Sequence, residues 1–503
     1  MNSSVGKVYF VGAGPGDPGL LTLRGAECLR SADVVLYDYL ASPQVLTCAR
    51  PGAELVCLGR HGHGRLMSQA EINAAMIEHA RAGRVVVRLK GGDPAIFGRL
   101  AEELAAVESA GVPYEIVPGI TAAQAASSHA GIPLTQRDEA SCVALVTGQE
   151  STDKQLELDY RALATFPGTL VFYMGVTTAP DWSQALIERG KPRDTPVAVV
   201  RRSSFPDQQT ILTTLSEVGD EIRRQKIRPP AVIIVGEVAR QRDAANWFTS
   251  RPLFGRTILV TRPEHQADDL ANPLQDLGAN VLCQPAIEIR EPADRSPLDA
   301  VIDRLDQFDW LVFSSSNGVQ YFMRRLFERG YDLRRLATAR LAAIGPATVD
   351  ALAEYHLRAE VQPPTYRAEA LAEALAPHAR GKRFFLARAS RGREVLAEML
   401  AAAGANVEQA AVYESRDVTS PNAGIAEALA AGRIDWTTVT SSAIARSLVH
   451  LFGESLRKTQ LAAISPVTAD VLKSLGYPPA TVAETYTTEG MVAAILAAES
   501  RPV

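Results

Sequence analysis

"VYFVGAGPGDPG", residues 8–19, is the stretch whose reading decides the fold of the first half. An apolar run, Val8 to Val11, breaks into a loop in which Gly14, Gly16 and Gly19 spell G-x-G-x-x-G. "ADVVLYD" follows as a second strand ending in an acid, Asp38, about twenty residues on, which is the outline of a dinucleotide-binding turn. That reading needs backbone N–H groups to hold a pyrophosphate. Pro15 and Pro18 have none to give, and Asp17 sets a carboxylate where phosphate would approach. The loop is therefore read as a tight strand-to-helix turn with close backbone packing, and no NAD is expected.

Outward from that loop, strand-like runs alternate with Ala/Leu-rich helical stretches along all 503 residues, so the class is α/β. With 47% apolar and 22% charged residues the chain is globular material able to bury large cores. A net charge of −5 gives no reason to expect nucleic acid or an anionic membrane as partner. No apolar run reaches the roughly 18 residues that a membrane span needs. The five cysteines form no C-x-x-C pair and are odd in number, which points to free thiols in a reducing compartment. A strand begins almost at once and leaves no room for a signal peptide, so a cytoplasmic location is expected. His61 and His63 of "HGHGR" lack a third ligand at a plausible spacing, and no metal is expected.

Two more loops share the glycine character of the first. "VVVRLKGGDPAIFGR" (85–99) runs from a buried strand into Gly91-Gly92-Asp93-Pro94. There the glycines bare backbone to a ligand, Asp93 accepts from hydroxyl or amine donors, and Pro94 is placed to start a helix. "VPGITAAQAA" (117–126) puts Gly-Ile-Thr-Ala at another strand-to-helix turn. Each loop alone is also what any α/β connection contains.

A boundary falls near "NWFTSRPLFGR" (246–256), dividing the chain into domains 1–250 and 251–503. The second half repeats itself. "LGANV" (277–281) returns as "AGANV" (403–407), and "DWLVFSSSNGV" from Asp309 as "DWTTVTSSAIA" from Asp435, both 126 residues apart. "LAAIGPATVDAL" from Leu341 returns as "LAAISPVTADVL" from Leu461. Two copies of one α/β unit predict a pseudo-symmetric pair of lobes with a cleft between them.

"VGAGPGDPGLLTLRG", "ADVVLYD", "VVRLKGGDPAIFGR", "VPGITAA", "AGIPLTQRD", "TLVFYMG" and "PPAVIIVGEV", taken together, resemble the uroporphyrinogen-III C-methyltransferases over residues 5–250. The resemblance implies the two-lobed tetrapyrrole-methylase fold, with S-adenosylmethionine bound between the lobes. It implies two methyl transfers to ring carbons of uroporphyrinogen III, giving precorrin-2 on the way to sirohaem or cobalamin, and a homodimer. Carried onto matching positions, the methyl donor would meet Pro15, Gly91, Gly92, Asp93, Ile96, Thr121, Ala122, Met174 and Ser203. Asp38 matches the proposed general base, and Asp17 and Arg99 match residues that handle substrate. Arg60 stands where the resembling proteins carry a proton-donor lysine; arginine holds its proton near neutral pH, so Arg60 acts electrostatically or His61 takes that role. Gln136, Gln149 and Ser203 are further departures. Arg24, Arg65, Arg88, Lys90 and Arg137 join Arg60 and Arg99 as candidate partners for the substrate's carboxylates. The nearest alternative is methylation of another corrinoid precursor; a more distant one is an NAD-dependent oxidoreductase.

"ILVTRP", "DWLVFSSSNGV", "AAIGPATVDAL", "PPTYRAEAL" and "TYTTEGMVAAI" resemble uroporphyrinogen-III synthase over residues 255–500. This implies a two-lobed pseudo-symmetric synthase that closes linear hydroxymethylbilane with inversion of its last ring. Tyr413 matches a tyrosine proposed to assist loss of the hydroxyl, and Thr468 a polar cleft residue. The loops at 314–318, 344–348, 440–443 and 464–468 each join a strand to a helix start, where N–H groups suit carboxylates.

Overall fold

The computed structural model describes residues 5–59, 67–149, 158–240, 246–336, 339–392 and 394–500. Arg60, His61, His63 and Arg65 lie outside them. The chain forms two compact units, Met1–Arg256 with Leu277–Asn280, and Thr257–Asp276 with Val281–Val503.

The first unit carries two unlike five-stranded sheets. β1 (Lys7–Gly12), β2 (Val34–Tyr37), β3 (Glu54–Cys57), β4 (Val85–Lys90) and β5 (Tyr114–Val117) form an all-parallel sheet in the order β3-β2-β4-β1-β5. Its inner strands are buried on both faces, which is why they read as near-continuous apolar runs. The second sheet contains β6 (Val143–Thr147), β7 (Thr169–Tyr173), β8 (Pro196–Arg201), β9 (Gln209–Thr214) and β10 (Ala231–Val235), ordered β6-β7-β10-β8-β9. Here β6 and β7 are parallel and the remaining pairs antiparallel.

β4 breaks the apolar rule. Arg88 and Lys90 alternate with Val87 and Leu89, so the period of two places both cations on the face of Val86. That face is covered by the helices Gln69–Arg81 and Leu100–Ser109.

The second unit contains β11 (Thr257–Val260), β12 (Asn280–Cys283), β13 (Ile287–Arg290), β14 (Trp310–Phe313), β15 (Arg340–Ala343), β16 (Arg383–Ala389), β17 (Asn406–Asp417), β18 (Trp436–Val439), β19 (Gln460–Ala463) and β20 (Thr481–Val482). They form two sheets, β12-β11-β18-β19-β20 and β13-β17-β16-β14-β15. Strands 126 residues apart play the same part in each: Ile258 pairs with Trp436 in one sheet, and Phe384 with Trp310 in the other. The end caps repeat too. Asp435 Oδ2 accepts from Thr257 N at 2.7 Å, and Asp309 Oδ2 from Arg383 N at 2.8 Å.

The repeat is therefore real, but neither copy is a lobe. The opening strands of copy one pair with the later strands of copy two, and the reverse holds in the other sheet. One lobe is the continuous stretch from Ile287 to Asp417; the other is assembled from the two ends of the unit.

Candidate active sites

In the first unit three glycine-bearing loops meet backbone to backbone. Gly14 and Gly92 exchange hydrogen bonds of 3.2 and 2.8 Å. A Cβ built on Gly119 would lie 2.2 Å from the Gly92 carbonyl oxygen and 2.7 Å from Gly12 Cα, so no side chain fits at that crossing. Asp93 secures the same junction: Oδ2 accepts from Gly119 N at 2.9 Å and Oδ1 from Ala95 N at 2.7 Å. Its first task is to tie two loops together, a partner set that local sequence did not reveal. Pro94 opens a turn, and the helix begins only at Leu100. Between them Phe97 and Arg99 sit at positive φ, and a Cβ on Gly98 would stand 2.4 Å from the Pro94 carbonyl oxygen. Helix geometry is thus delayed by half a dozen residues relative to the sequence expectation.

Beside this junction lies a cavity of about 570 Å³, lined by Asp93, Ile96, Gly119 and Thr121 and, from the second sheet's side, by Leu134, Val143 and Leu145. Thr121 and Ala122 open the helix Ala122–Ala130. Tyr173, which lies in "TLVFYMG" but had no role assigned to it, holds that opening: its hydroxyl lies 2.7 Å from Thr121 Oγ1 and accepts from Ala123 N at 3.0 Å. Burial raises its pKa, so it stays a protonated phenol. Met174 follows at φ 54° and is half exposed. Phe97, Arg99, Met174, Arg202 and Ser204 are all non-glycine residues at positive φ. Strain of this kind persists where surrounding structure holds it, most often at ligand sites.

The opening loop is held from the second sheet's side. Phe205 fills the place that a Cβ on Gly16 would take, at 2.2 Å. Ser204 Oγ accepts from Asp17 N at 3.1 Å, and Asp17 Oδ1 accepts from Gly19 N at 2.8 Å. Ser203 is buried alongside. The amides of Gly14, Asp17 and Gly19 are thus already engaged, and a pyrophosphate laid on this turn would have to displace their partners.

Asp38 follows β2 and is about one-third exposed. Arg88 Nη2 donates to its Oδ1 at 2.7 Å, and Arg88 Nε donates to Glu103 Oε1 at 3.1 Å. Lys90 Nζ donates to both Glu103 oxygens, at 2.9 and 2.8 Å. Glu103 is wholly buried, and Arg88 and Lys90 nearly so. Burial, then the neighbouring Arg88, pushes the Lys90 pKa down, while Glu103 and Asp38 oppose this. The sequence suggested that Arg88 and Lys90 meet a substrate's carboxylates, but both are committed inside the protein, where Glu103 and Asp38 together balance their charge. Arg24 is occupied by Glu115 and Glu27, and Arg99 by Glu102. Among the described residues no group of His, Cys, Asp and Glu is arranged to hold a metal.

In the second unit the loops expected to line a cleft are capped helix starts. Ser315, Ser441 and Ser465 each accept from an amide in the first turn of the helix that follows, and Gly345 opens its helix without a side-chain cap. Tyr413 is buried on β17, with its hydroxyl 3.1 Å from Ser315 Oγ and its pKa raised by burial. Thr468 is buried beside Ser465. Across the lobes, His265 Nε2 and Gln266 Nε2 lie 2.9 and 2.8 Å from Asn317 Oδ1, two residues beyond Ser315. Sequence reading did not find this seam, because each partner looks like an ordinary helix-start residue.

Glycine loops that meet backbone to backbone beside a cavity, followed by a duplicated unit of two sheets, define a two-module α/β protein. Comparison with known proteins is specific about the modules. The profile of Tetrapyrrole (Corrin/Porphyrin) Methylases matches residues 7–219, and that of Uroporphyrinogen-III synthase HemD residues 268–493. The Porphyrin biosynthesis protein HemD of Ruminiclostridium josui is 32% identical over 499 residues, 98% of this chain and 98% of its own. A Uroporphyrinogen-III C-methyltransferase of Bacillus subtilis (strain 168) is 40% identical over 340 residues, 67% of this chain and 69% of its own. Siroheme synthase 1 of Yersinia enterocolitica serotype O:8 / biotype 1B is 46% identical over 251 residues, 50% of this chain and 52% of its own, so the chain spans about half of that relative. The chain belongs to the family of tetrapyrrole-biosynthesis enzymes in which a methylase is fused to a HemD-type uroporphyrinogen-III synthase.

Proposed function

We propose that the chain catalyses consecutive steps: residues 251–503 close hydroxymethylbilane to uroporphyrinogen III with inversion of the last ring, and residues 1–250 methylate that product twice to precorrin-2. The observation that carries the methylation reading is the backbone junction of Gly12, Gly92 and Gly119 beside a cavity of about 570 Å³. It offers bared backbone that an extended donor such as S-adenosylmethionine needs, with Ile96 and Thr121 in the cavity wall and Ala122 and Met174 as further proposed donor contacts.

The bound donor supplies an electrophilic sulfonium methyl. The chain's own residues orient the nucleophilic pyrrole carbon and accept the proton that methylation makes acidic. Asp38 Oδ2 is the proposed acceptor, with Oδ1 held by Arg88. Asp17 and Arg99 are the proposed substrate-handling residues. In the second unit Tyr413 assists departure of the hydroxyl, and capped helix starts receive acetate and propionate groups. A cytoplasmic homodimer is part of the same reading.

The test is anaerobic incubation of the full chain with fresh hydroxymethylbilane, with and without S-adenosylmethionine, followed by product mass and isomer analysis. The type III isomer alone, then a shift of two methyl groups with the donor, is expected. The type I isomer at the spontaneous rate would remove the synthase reading. Addition of one methyl group, or none, would remove the precorrin-2 reading.

A further inference from the structure

The repeat in the second unit provides an internal control for one buried arginine. Arg262 and Arg388 stand 126 residues apart, at or just beyond the C-terminal end of the equivalent strands β11 and β16. Their side chains are equally buried, 19% and 20% exposed. Their surroundings are not equal. Arg388 is paired with Glu394 and donates to Gln409 Oε1 at 2.9 Å and to the Ala389 carbonyl at 3.3 Å. Arg262 donates to Thr488 Oγ1 at 3.3 Å and has Asp269, itself 68% exposed, only at 3.7 Å. At the positions of Glu394 and Gln409 this copy carries Asp268, shorter by a methylene, and Cys283, a poor acceptor.

A guanidinium this far from water is unfavourable unless an anion reaches it. Burial pushes the Arg262 pKa down, and Asp269 offsets this only in part. The helix Thr488–Glu499 sharpens the problem. Thr488 is its first residue, so the cation sits beside the positive end of a helix dipole. Glu489 in that turn is engaged with its own amide and with Thr487. The place is also where α/β sheets receive ligands, outside the carboxyl ends of parallel strands. Three residues on, His265 reaches Asn317 of the other lobe.

We propose that Arg262 is an anchor for one carboxylate of the linear tetrapyrrole in the second unit, with the Thr488 hydroxyl as second donor. Copy two has filled the same position with Glu394 and made it structural. The proposal rests on the synthase reading above.

The experiment compares synthase kinetics of the full chain with those of Arg262→Met, Arg262→Lys and Arg388→Met, using hydroxymethylbilane as substrate. Loss of a charge-assisted hydrogen bond predicts a KM raised about tenfold or more in Arg262→Met, with a smaller change in kcat. Arg262→Lys keeps the charge but not the fork, and should fall between. Arg388→Met should lower the melting temperature while leaving KM within about twofold, because its partner is internal. Methylation of supplied uroporphyrinogen III should be unchanged in all three. An unchanged KM in Arg262→Met or, if that variant does not fold, a wild-type KM in Arg262→Lys would overturn the anchor while the synthase reading stood. Should the unaltered chain show no turnover above the spontaneous rate, the reading and the anchor fall together.

Discussion

The two units build their clefts on opposite plans. The first joins unlike sheets and fixes its loops with contacts that admit no substitute: glycine against glycine, and Arg88 and Lys90 around one buried Glu103. The second joins two sheets that share four equivalently ordered strands, and its contacts come in duplicate, as Asp435 with Thr257 and Asp309 with Arg383. In the first plan function is written in what cannot change. In the second it is written in the few places where two copies have stopped matching, such as Arg262 against Arg388.

Substitutions should rank accordingly. Glu103→Gln removes the only carboxylate in hydrogen-bond contact with Lys90 among the described residues, leaving a buried cation cluster half neutralised. We expect a loss of about 3–5 kcal/mol in the stability of the first unit, read by chemical denaturation; a loss under about 1 kcal/mol would mean water enters that core. Gly119→Ala forces a methyl onto the Gly92 carbonyl and should cost about 1–3 kcal/mol together with most of the donor affinity, measured by calorimetric titration with S-adenosylhomocysteine. In the duplicated unit, Asp435→Asn and Asp309→Asn should each cost about 1–2 kcal/mol and agree closely, because each carboxylate accepts from the first backbone N–H of the equivalent strand. A large mismatch in denaturation midpoints would break the equivalence of the copies.

Tyr173→Phe should raise the KM for S-adenosylmethionine several-fold with little change in kcat, for a cost of about 1 kcal/mol. The smallest effect belongs to Glu115, whose pKa is held at about 2 by Arg24 and then Lys7. Its folded pKa lies below the unfolded value, so its contribution is present above about pH 4.5 and lost as the pH falls through about 2. Because these ion pairs are near water, Glu115→Gln should cost less than about 1 kcal/mol at pH 7, and stability curves of mutant and parent should converge near pH 2.

Much of the fold was legible because it is local. Glycine loops after apolar strands, capped helix starts and a spaced repeat are all written in short windows. What stayed hidden is written across distance. "LAEELAAVES" gives no sign that Glu103 is sealed in the core while Glu102 faces water, since the reason is a pair of cations on β4. Tyr173 passes for an ordinary strand aromatic until its hydroxyl is seen at the Thr121 turn. Asp93 was singled out for a ligand, and its backbone partner Gly119 lies in another loop. The repeat announced two copies, but strand exchange between them leaves no trace in either copy, because pairing partners are chosen in space.

That exchange also sets a timetable for synthesis. β11 leaves the ribosome long before its partner β18, with Ile258 and Trp436 separated by 178 residues. At about 5–20 residues per second the early strand waits roughly 10–40 s with the edge that β18 takes still open. The continuous lobe, Ile287 to Asp417, is complete in the meantime and can close around its own core. A nascent chain stalled before Trp436 should therefore protect the middle of the unit from protease while its first strands remain open to cleavage, and a chaperone that binds extended apolar segments would find its natural hold there.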